Sequence, residues 1–325
     1  MLLSAIQPSN NLHIGNYIGA IDQWLSIEEK TKLFCIADLH SLTVNKPLSV
    51  TRKQIIEETI ALYLACGLDK PNNYIFVQSQ VPEHLELYWL LLCNTPINWL
   101  NTNQYLDKVS KLEQESIAIE AGLLNYPVLM ASDILLYQTN KVPVGEDQIE
   151  HIELCRDIAK RFNNKYGHTF NLPEAVIKAK GNRIMSLVDG TRKMSKSDND
   201  SSRINLLDSP SIIRKKISKC KTDFYMGLVF DSNRPECSNL LTIYMVINSL
   251  SKEEVEAQCS NLSWSSFKTL LAESLINYLE PIQSRYKEVV EDKSYIKETL
   301  AKGTSFCRSI ASKTLDKARN NLLST

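Results

Sequence analysis

Apolar and polar positions change period along the first eighty residues, and each change marks an element. "MLLSAI" is a short continuous apolar run, as expected for a strand buried on both faces. Residues 12–27 carry apolar positions at helical spacing, "KLFCIAD" is a second apolar run, 49–66 reads as a helix stopped by Gly67, and "NYIFVQS" supplies a third strand. Strand, helix, strand, helix, strand in that order predicts right-handed crossovers and a parallel sheet covered by helices on both faces. Such doubly wound sheets bind ligands beyond the carboxyl ends of their strands.

From 82 to 136 the pattern is mainly helical, with "PEHLELYWLLLC" and "PVLMASDILLY" as apolar-faced helices and an exposed polar stretch, 108–120, between them. "KVPVG" predicts a short strand, and the helix after it places Ile149, Ile152, Cys155, Ile158, Ala159 and Phe162 on one face. "NRIMSLV" predicts the last strand and "DGTRKMSKSDND" a loop. Ser209 and Pro210 form a helix start for "SIIRKKISK", and long helical patterns fill 239–323. The expected organisation is an α/β domain over 1–188 with a helical insertion at 82–136, then a helical region over 189–325, divided near Val188.

Charge narrows the chemistry. Across 325 residues, 37 Lys and Arg balance 37 Asp and Glu, so a polyanion must be met by local clusters and not by an overall basic field. Eight cysteines are scattered without a C-x-x-C pair or a zinc spacing, mostly within apolar runs, which predicts reduced, buried thiols and a cytoplasmic protein. No stretch approaches the ~18 apolar residues a bilayer span needs, and "MLLSAIQPSN" is too short and lacks the positive flank of a secretory leader.

Two stretches could handle an anion. In "GTRKMSKSDND", Lys193 and Lys196 lie three apart with Ser195 and Ser197 interleaved, a holder for a polyanion; for such a run alone, a solvated charged loop is the default. Asp198 and Asp200 are expected to be solvated. In "SAIQPSNNLHIGNYIGA" a strand ends at Ile6, residues 7–11 turn, and a helix begins near Leu12 or His13, whose outward-facing amides favour phosphate. Gly15 would let a base or ribose approach the backbone, and His13 and Asn16 share a helix face. Taken singly, a surface His13 and a Gly15 kept for packing explain this stretch better.

Taken together the two stretches say more. "HIGN" after the first strand and "KMSKS" late in the sheet resemble the paired signatures of class I aminoacyl-tRNA synthetases. "QPS", "AGLLNYPVLMASDILLY", "VPVGEDQIEHIELCRDIAKRFN" and "RIMSLVDGTRKMSKSD" resemble the bacterial tryptophanyl-tRNA synthetase family over most of the first 200 residues, and "SNLLTIY" and "PIQSRY" extend the similarity. The resemblance implies a Rossmann-type doubly wound parallel sheet, a C-terminal all-helical anticodon-binding domain, and dimerisation through the 82–136 insertion. It implies attack of the tryptophan carboxylate on the α-phosphorus of ATP, release of pyrophosphate, and transfer of the acyl group to the end of a tRNA. A carboxylate is already a nucleophile, so positioning and charge stabilisation suffice.

The resemblance also implies roles. Lys193, Lys196 and Ser197, with Gln7 and Asn16, would serve catalysis. Gln7, Pro8, Ser9, Gly15, Asn16, Gly145, Glu146, Asp147, Ile184, Met194 and Ser195 would hold ATP, with Mg²⁺ on its phosphates. Asp133, buried among apolar neighbours and needing a partner, would accept the indole N–H; an Asp capping a neighbouring helix is the alternative. Met130, Val142 and Val144 would line the pocket, Tyr126 and Gln148 would hold the ammonium, and His40 would lie near the indole. Lys108 or Lys111 would reach ATP. No resident metal or iron–sulfur cluster is expected.

Departures from the family pattern are Ala5 and Asn10 in place of two glycines, and Leu3 where an aromatic usually covers the indole. Two basic stretches could meet RNA backbone: "RKKISKCK" at 214–221, and Lys302, Arg308, Lys313, Lys317 and Arg319 on the last helix, for which a solvated face is an equal alternative. Trp89, Leu90, Leu91 and Leu92 suit either core or subunit interface. Rival readings are a tyrosyl-tRNA synthetase, a small adenylyltransferase, and a non-catalytic paralogue that binds tRNA or tryptophan; the last is expected to have lost Lys193, Lys196 or Asp133, and all three are present.

Overall fold

Five parallel strands form one sheet in a computed structural model that describes residues 1–8, 12–43, 50–115, 117–177, 183–196 and 198–324. They are Leu2–Ile6 (β1), Lys32–Ile36 (β2), Asn73–Val77 (β3), Lys141–Val144 (β4) and Glu174–Ile177 (β5), in the order β3-β2-β1-β4-β5. The first three wind outward on one side of β1 and the fourth on the other. The order therefore reverses between β1 and β4, and a doubly wound sheet opens its crevice at that point.

Apolar runs make these strands because both faces are covered: every residue of β2 is buried. After β1 comes a helix whose first turn is Ile14–Asn16 (α1), continuing through a wider π turn at Tyr17–Ile21 into Asp22–Ser26 (α2). Lys32 caps its end, with Nζ donating to the carbonyls of Trp24 and Leu25 at 2.9 and 3.0 Å. Arg52–Ala65 (α3) starts on the side chain of Thr51, which accepts from the Gln54 amide, and Gly67 follows at φ 81°. The 49–66 helix predicted above thus begins at Arg52, Ser49 lying outside the described residues.

Residues 82–136 are helical as expected: Glu83–Leu92 (α4), Asn103–Gln114 (α5) and Ala121–Leu135 (α6). In α4, Leu91 is buried, Leu90 and Leu92 are half-buried, and Trp89 is 61% exposed. After β4, Ile149–Tyr166 (α7) buries Ile152, Cys155, Ile158, Ala159 and Phe162 on its predicted face.

The last strand is not where apolar content alone placed it. β5 is the short segment Glu174–Ile177, paired with β4, whereas "NRIMSLV" forms no strand of the sheet. In its described part, 183–188, it makes only an isolated antiparallel bridge, Met185 to Lys193, because its amides and carbonyls are taken by the lysine segment. Helices Pro210–Lys219 (α8), Pro235–Ile247 (α9), Lys252–Cys259 (α10), Trp264–Glu291 (α11) and Lys293–Leu323 (α12) complete the chain.

The apolar core crosses Val188 on both sides of the sheet. One cluster joins Leu2, Phe34 and Tyr63 to Ile213, Leu241, Phe267 and Leu279. The other joins Leu3, Cys35, Phe76 and Phe162 to Cys307, Ala311, Leu315 and Ala318 of α12. That last helix lies against β3 so closely that a Cβ on Gly303 would sit 1.9 Å from the Ile75 carbonyl oxygen.

Candidate active site

The carboxyl ends of β1, β2 and β4 carry one group of the predicted residues. Gln7 and Pro8 follow β1, His40 follows β2, Gly145, Glu146, Asp147 and Gln148 follow β4, and all but buried His40 are exposed or half-buried. Val142 and Val144 lie on β4 itself. Ala5 and Gln7 are exposed at the end of the central strand, where an uncovered sheet end leaves room for ligand. Ser9, Asn10 and Ser197 lie outside the described residues.

The two signature stretches meet. Residues 12–14 pair antiparallel with 204–206: the Ile14 amide donates to the Ile204 carbonyl at 2.9 Å, the Leu206 amide to the Leu12 carbonyl at 2.8 Å, and His13 bridges Asn205. A Cβ built on Gly15 would stand 3.0 Å from His13 Nδ1 and 3.6 Å from Met194 Cβ, so this glycine keeps the lysine segment and the first helical turn within touching distance. Asn16 Oδ1 accepts from the His13 amide at 3.2 Å. His13 is buried, not a surface residue. Burial first, then the nearby cations Lys196, Arg203 and Lys193, push its imidazole down to about 3.

The lysine segment is the second arm of a hairpin. The Met194 amide donates to the Ile184 carbonyl at 3.1 Å and the Ser186 amide to the Arg192 carbonyl at 2.8 Å, which seats Ile184 and Met194, both buried, side by side. Asp189 accepts from the Thr191 amide and hydroxyl at the tip, and Gly190 rests against the backbone of Pro235 and Glu236 at the start of α9. Lys193 is exposed. Lys196 is half-buried, and desolvation followed by the Arg203 charge lowers its ammonium to about 8.

Beyond Lys196 the chain is anchored by buried Arg203, whose guanidinium donates to the carbonyls of Asp198, Lys196 and Ser195 at 2.6, 3.3 and 3.5 Å and to Asn205 Oδ1 at 3.0 Å. Asp198 and Asp200 are therefore not merely solvated. Asp198 pairs with Arg192 at 3.4 Å, while Asp200 pairs with Lys216 at 2.8 Å and accepts from Asn205. Lys216 also meets Asp208 at 2.7 Å. This consumes part of the basic stretch "RKKISKCK": Lys216 is buried, Arg214 pairs with Glu273 and Lys221 with Glu236, leaving Lys215 and Lys219 exposed without a described ion pair. On α12, Arg308 and Arg319 pair with Glu83 and Glu86 and fasten that helix to α4.

Asp133 is the centre of the second half of the site. On α6 it follows Tyr126 by seven residues and Met130 by three, so all three face one way. Its carboxylate is fully buried but not waiting for a partner. His84 Nδ1 donates to Oδ1 at 2.7 Å, His40 Nε2 to Oδ2 at 2.8 Å, and Gln78 Nε2 reaches both oxygens at 2.8 and 2.9 Å. The partners that its burial demanded are thus supplied within the chain, by three side chains and not by the end of a neighbouring helix. Burial pushes this carboxyl up, and the imidazoles of His84 and His40 more than offset that, holding it at about 2.

Tyr126, assigned to an ammonium, has its hydroxyl 2.9 Å from His151 Nε2 and accepts from Lys108 at 2.8 Å, with that ammonium also 4.4 Å from the ring centre. His151, lowered to about 4 by burial and then by Lys108, is neutral, and its tautomer decides which of the two groups donates. Lys111 is exposed on α5. Gln148 donates to Asp147 at 2.9 Å. Gln78, His84, His151 and Arg203 were not singled out in the sequence; each is one polar residue in an ordinary context, and only "QSQVPEH" at a strand end hinted at two of them.

Comparison with known proteins agrees with this geometry. Residues 1–280 match the model of the class I tRNA synthetases for W and Y. The chain is 49% identical to a tryptophan–tRNA ligase of Nostoc sp., covering 97% of this chain and 95% of that one, and 45% identical to the chloroplastic/mitochondrial tryptophan–tRNA ligase of Arabidopsis thaliana, covering 97% and 80%. Among solved structures, the Campylobacter jejuni tryptophanyl-tRNA synthetase, complexed with ADP and tryptophan, superposes with a TM-score of 0.85 at 34% identity over 99% of both chains. The Archaeoglobus fulgidus tyrosyl-tRNA synthetase, at 19% identity and 0.65, shares the fold alone. A strand order that reverses between β1 and β4, a lysine hairpin beside the first helix and this degree of likeness place the chain among the class I aminoacyl-tRNA synthetases, as a member of the tryptophanyl-tRNA synthetase family.

Proposed function

We propose the following division of labour for the ATP-dependent joining of tryptophan to tRNA that this chain performs. The observation that carries it is the closeness of Gly15 to Met194, where a Cβ on the glycine would stand 3.6 Å from Met194 Cβ, so that the start of the first helix and the lysine hairpin lie at one place. ATP lies across Gly15 and Asn16, with its base toward Ile184 and Met194 and its ribose toward Gly145, Glu146 and Asp147. Neutral His13 leaves the positive field to the lysines. Tryptophan lies between α6 and β4, its ring among Met130, Val142 and Val144 and its N–H directed at Asp133.

The tryptophan carboxylate attacks the α-phosphorus; the bond to the bridging oxygen breaks, and pyrophosphate leaves with the electron pair. Lys193 and Lys196, with the Ser195 and Ser197 hydroxyls and Gln7, stabilise the charge that gathers on the leaving phosphates. Lys108, beside the Tyr126 hydroxyl, is the cation placed to meet the reacting carboxylate and α-phosphate, and Gln148 the group placed for the ammonium. Among the described residues no cluster of three or more His, Cys, Asp or Glu is arranged to hold a metal. That suits Mg²⁺ arriving on triphosphate oxygens rather than in a protein cage, where it would neutralise phosphate charge. A tRNA ribose hydroxyl then attacks the acyl carbon of the adenylate; the mixed-anhydride bond to the phosphate oxygen breaks, and AMP leaves with the electron pair and takes up the hydroxyl proton.

Residues 1–188 would act as the catalytic domain, with 189–325 supplying the lysine segment and the anticodon-binding helices. Exposed Trp89 and its neighbours in the 82–136 insertion supply apolar surface for a homodimer. No helix among the described residues is long and apolar enough to cross a membrane, in keeping with a cytoplasmic setting. Exchange of labelled pyrophosphate into ATP tests the assignment. It is expected with tryptophan and not with tyrosine, and Lys196→Ala should slow it on the order of 100-fold with little change in tryptophan KM. Exchange driven equally by tyrosine would defeat the specificity, and an unimpaired Lys196→Ala variant the catalytic role.

A further inference from the structure

Three donor nitrogens already make four contacts with the two oxygens of Asp133, which is about as many as a carboxylate can accept. An indole N–H joins by replacing one of them. The three are not equally replaceable. Gln78 is fixed at its other end, since its Oε1 accepts from the Leu39 amide at 3.2 Å; this settles which way the amide faces and turns its NH₂ group to Asp133, between the two oxygens. His84 is fixed likewise: its Nε2 lies 2.7 Å from the Tyr137 hydroxyl, its ring stacks on Phe76, and its carbonyl accepts from Ser132 on the same helix as Asp133. Its side chain is wholly buried. The His40 ring alone keeps some exposure, 9%, and it meets Oδ2 only.

We propose that Gln78 and His84 are positioning residues for tryptophan selection: they hold the Asp133 carboxylate ionised and in one orientation, leaving Oδ2 as the oxygen at which the substrate N–H takes the place of His40. This rests on the reading that Asp133 receives the indole. Neither residue touches substrate; they act by fixing a carboxylate that would otherwise rotate or take up a proton in its apolar surroundings. A carboxylate free to turn could not discriminate a substrate that carries an N–H from an isostere that lacks one.

The test is pyrophosphate exchange with tryptophan and with β-(3-benzothienyl)alanine, in which sulfur replaces the indole N–H. Gln78→Met removes the amide donor and both of its contacts at similar volume. It should raise tryptophan KM on the order of 10- to 100-fold while leaving KM for the sulfur analogue and for ATP nearly unchanged, collapsing the preference between the two amino acids. His84→Asn, which keeps an amide donor near Nδ1, should retain most of the preference that His84→Leu loses. Equal rises in KM for both amino acids, or a matching rise for ATP, would mean a merely structural role and overturn the proposal; if His84→Leu does not fold, Gln78→Met decides alone. Asp133→Leu, which leaves no acceptor for an N–H, runs beside them. If it keeps the parental preference, the assignment of Asp133 falls and the proposal with it. If it abolishes the preference while Gln78→Met and His84→Leu do not, only the proposal falls.

Discussion

An ammonium lowered to about 8, as at Lys196, is partly deprotonated just above neutrality, and a deprotonated lysine cannot hold pyrophosphate. The kcat/KM for ATP in the exchange reaction is therefore expected to fall as pH rises through about 8, and Lys196→Arg to remove that limb whatever its effect on the maximum. Two of the buried imidazoles act in the opposite pH range. His13 and His151 are held at about 3 and about 4, below the ordinary 6.5, so on acidification the unfolded chain binds protons that the folded chain refuses. Stability should decline as pH falls from about 6.5 toward 4, visible in urea midpoints, and His151→Gln should flatten the decline without changing the value at pH 8. Asp133 and His40 were legible in the sequence because a carboxylate in an apolar helix demands an explanation and the family resemblance offered one. Gln78 and His84 were not. They reach Asp133 from 55 and 49 residues away, and only the packing of the end of β3 and the start of α4 against one helix brings them there.

Between residue and molecule, the lysine hairpin behaves as a unit because one guanidinium gathers three of its carbonyls. Arg203→Leu should leave tryptophan KM unaltered and slow adenylate formation on the order of 10- to 100-fold, measured by single-turnover kinetics, since the loop would no longer present Lys196 in one place. Such an anchor also explains why the last strand was misread. "NRIMSLV" has the apolar content of a strand, but its partners are 192–194 and 202, not β5; meanwhile "EAVI" is four residues with an exposed end and leaves almost no periodic signal. The first three strands and their helices were legible, being long, apolar and cleanly punctuated by residues such as Gly67.

Over the whole molecule, the helical C-terminal region and the sheet share their apolar interior. α12 buries Cys307, Ala311, Leu315 and Ala318 against the face that holds Phe76 and Tyr137, and Gly303 permits the approach. Gly303→Val should force that helix off β3 and destabilise the protein by about 3 kcal/mol or more, read as a fall in the urea midpoint. No local pattern announced this contact, because Gly303 sits in a helix that propensity alone would call weakened there. A chain emerging from the ribosome meets the same geometry in time rather than space: β3 is made early, but the surface of it that α12 covers stays open until the final helix has been synthesised. The sheet is thus fully covered only at the end of translation, by residues more than two hundred positions away from the strand they close over.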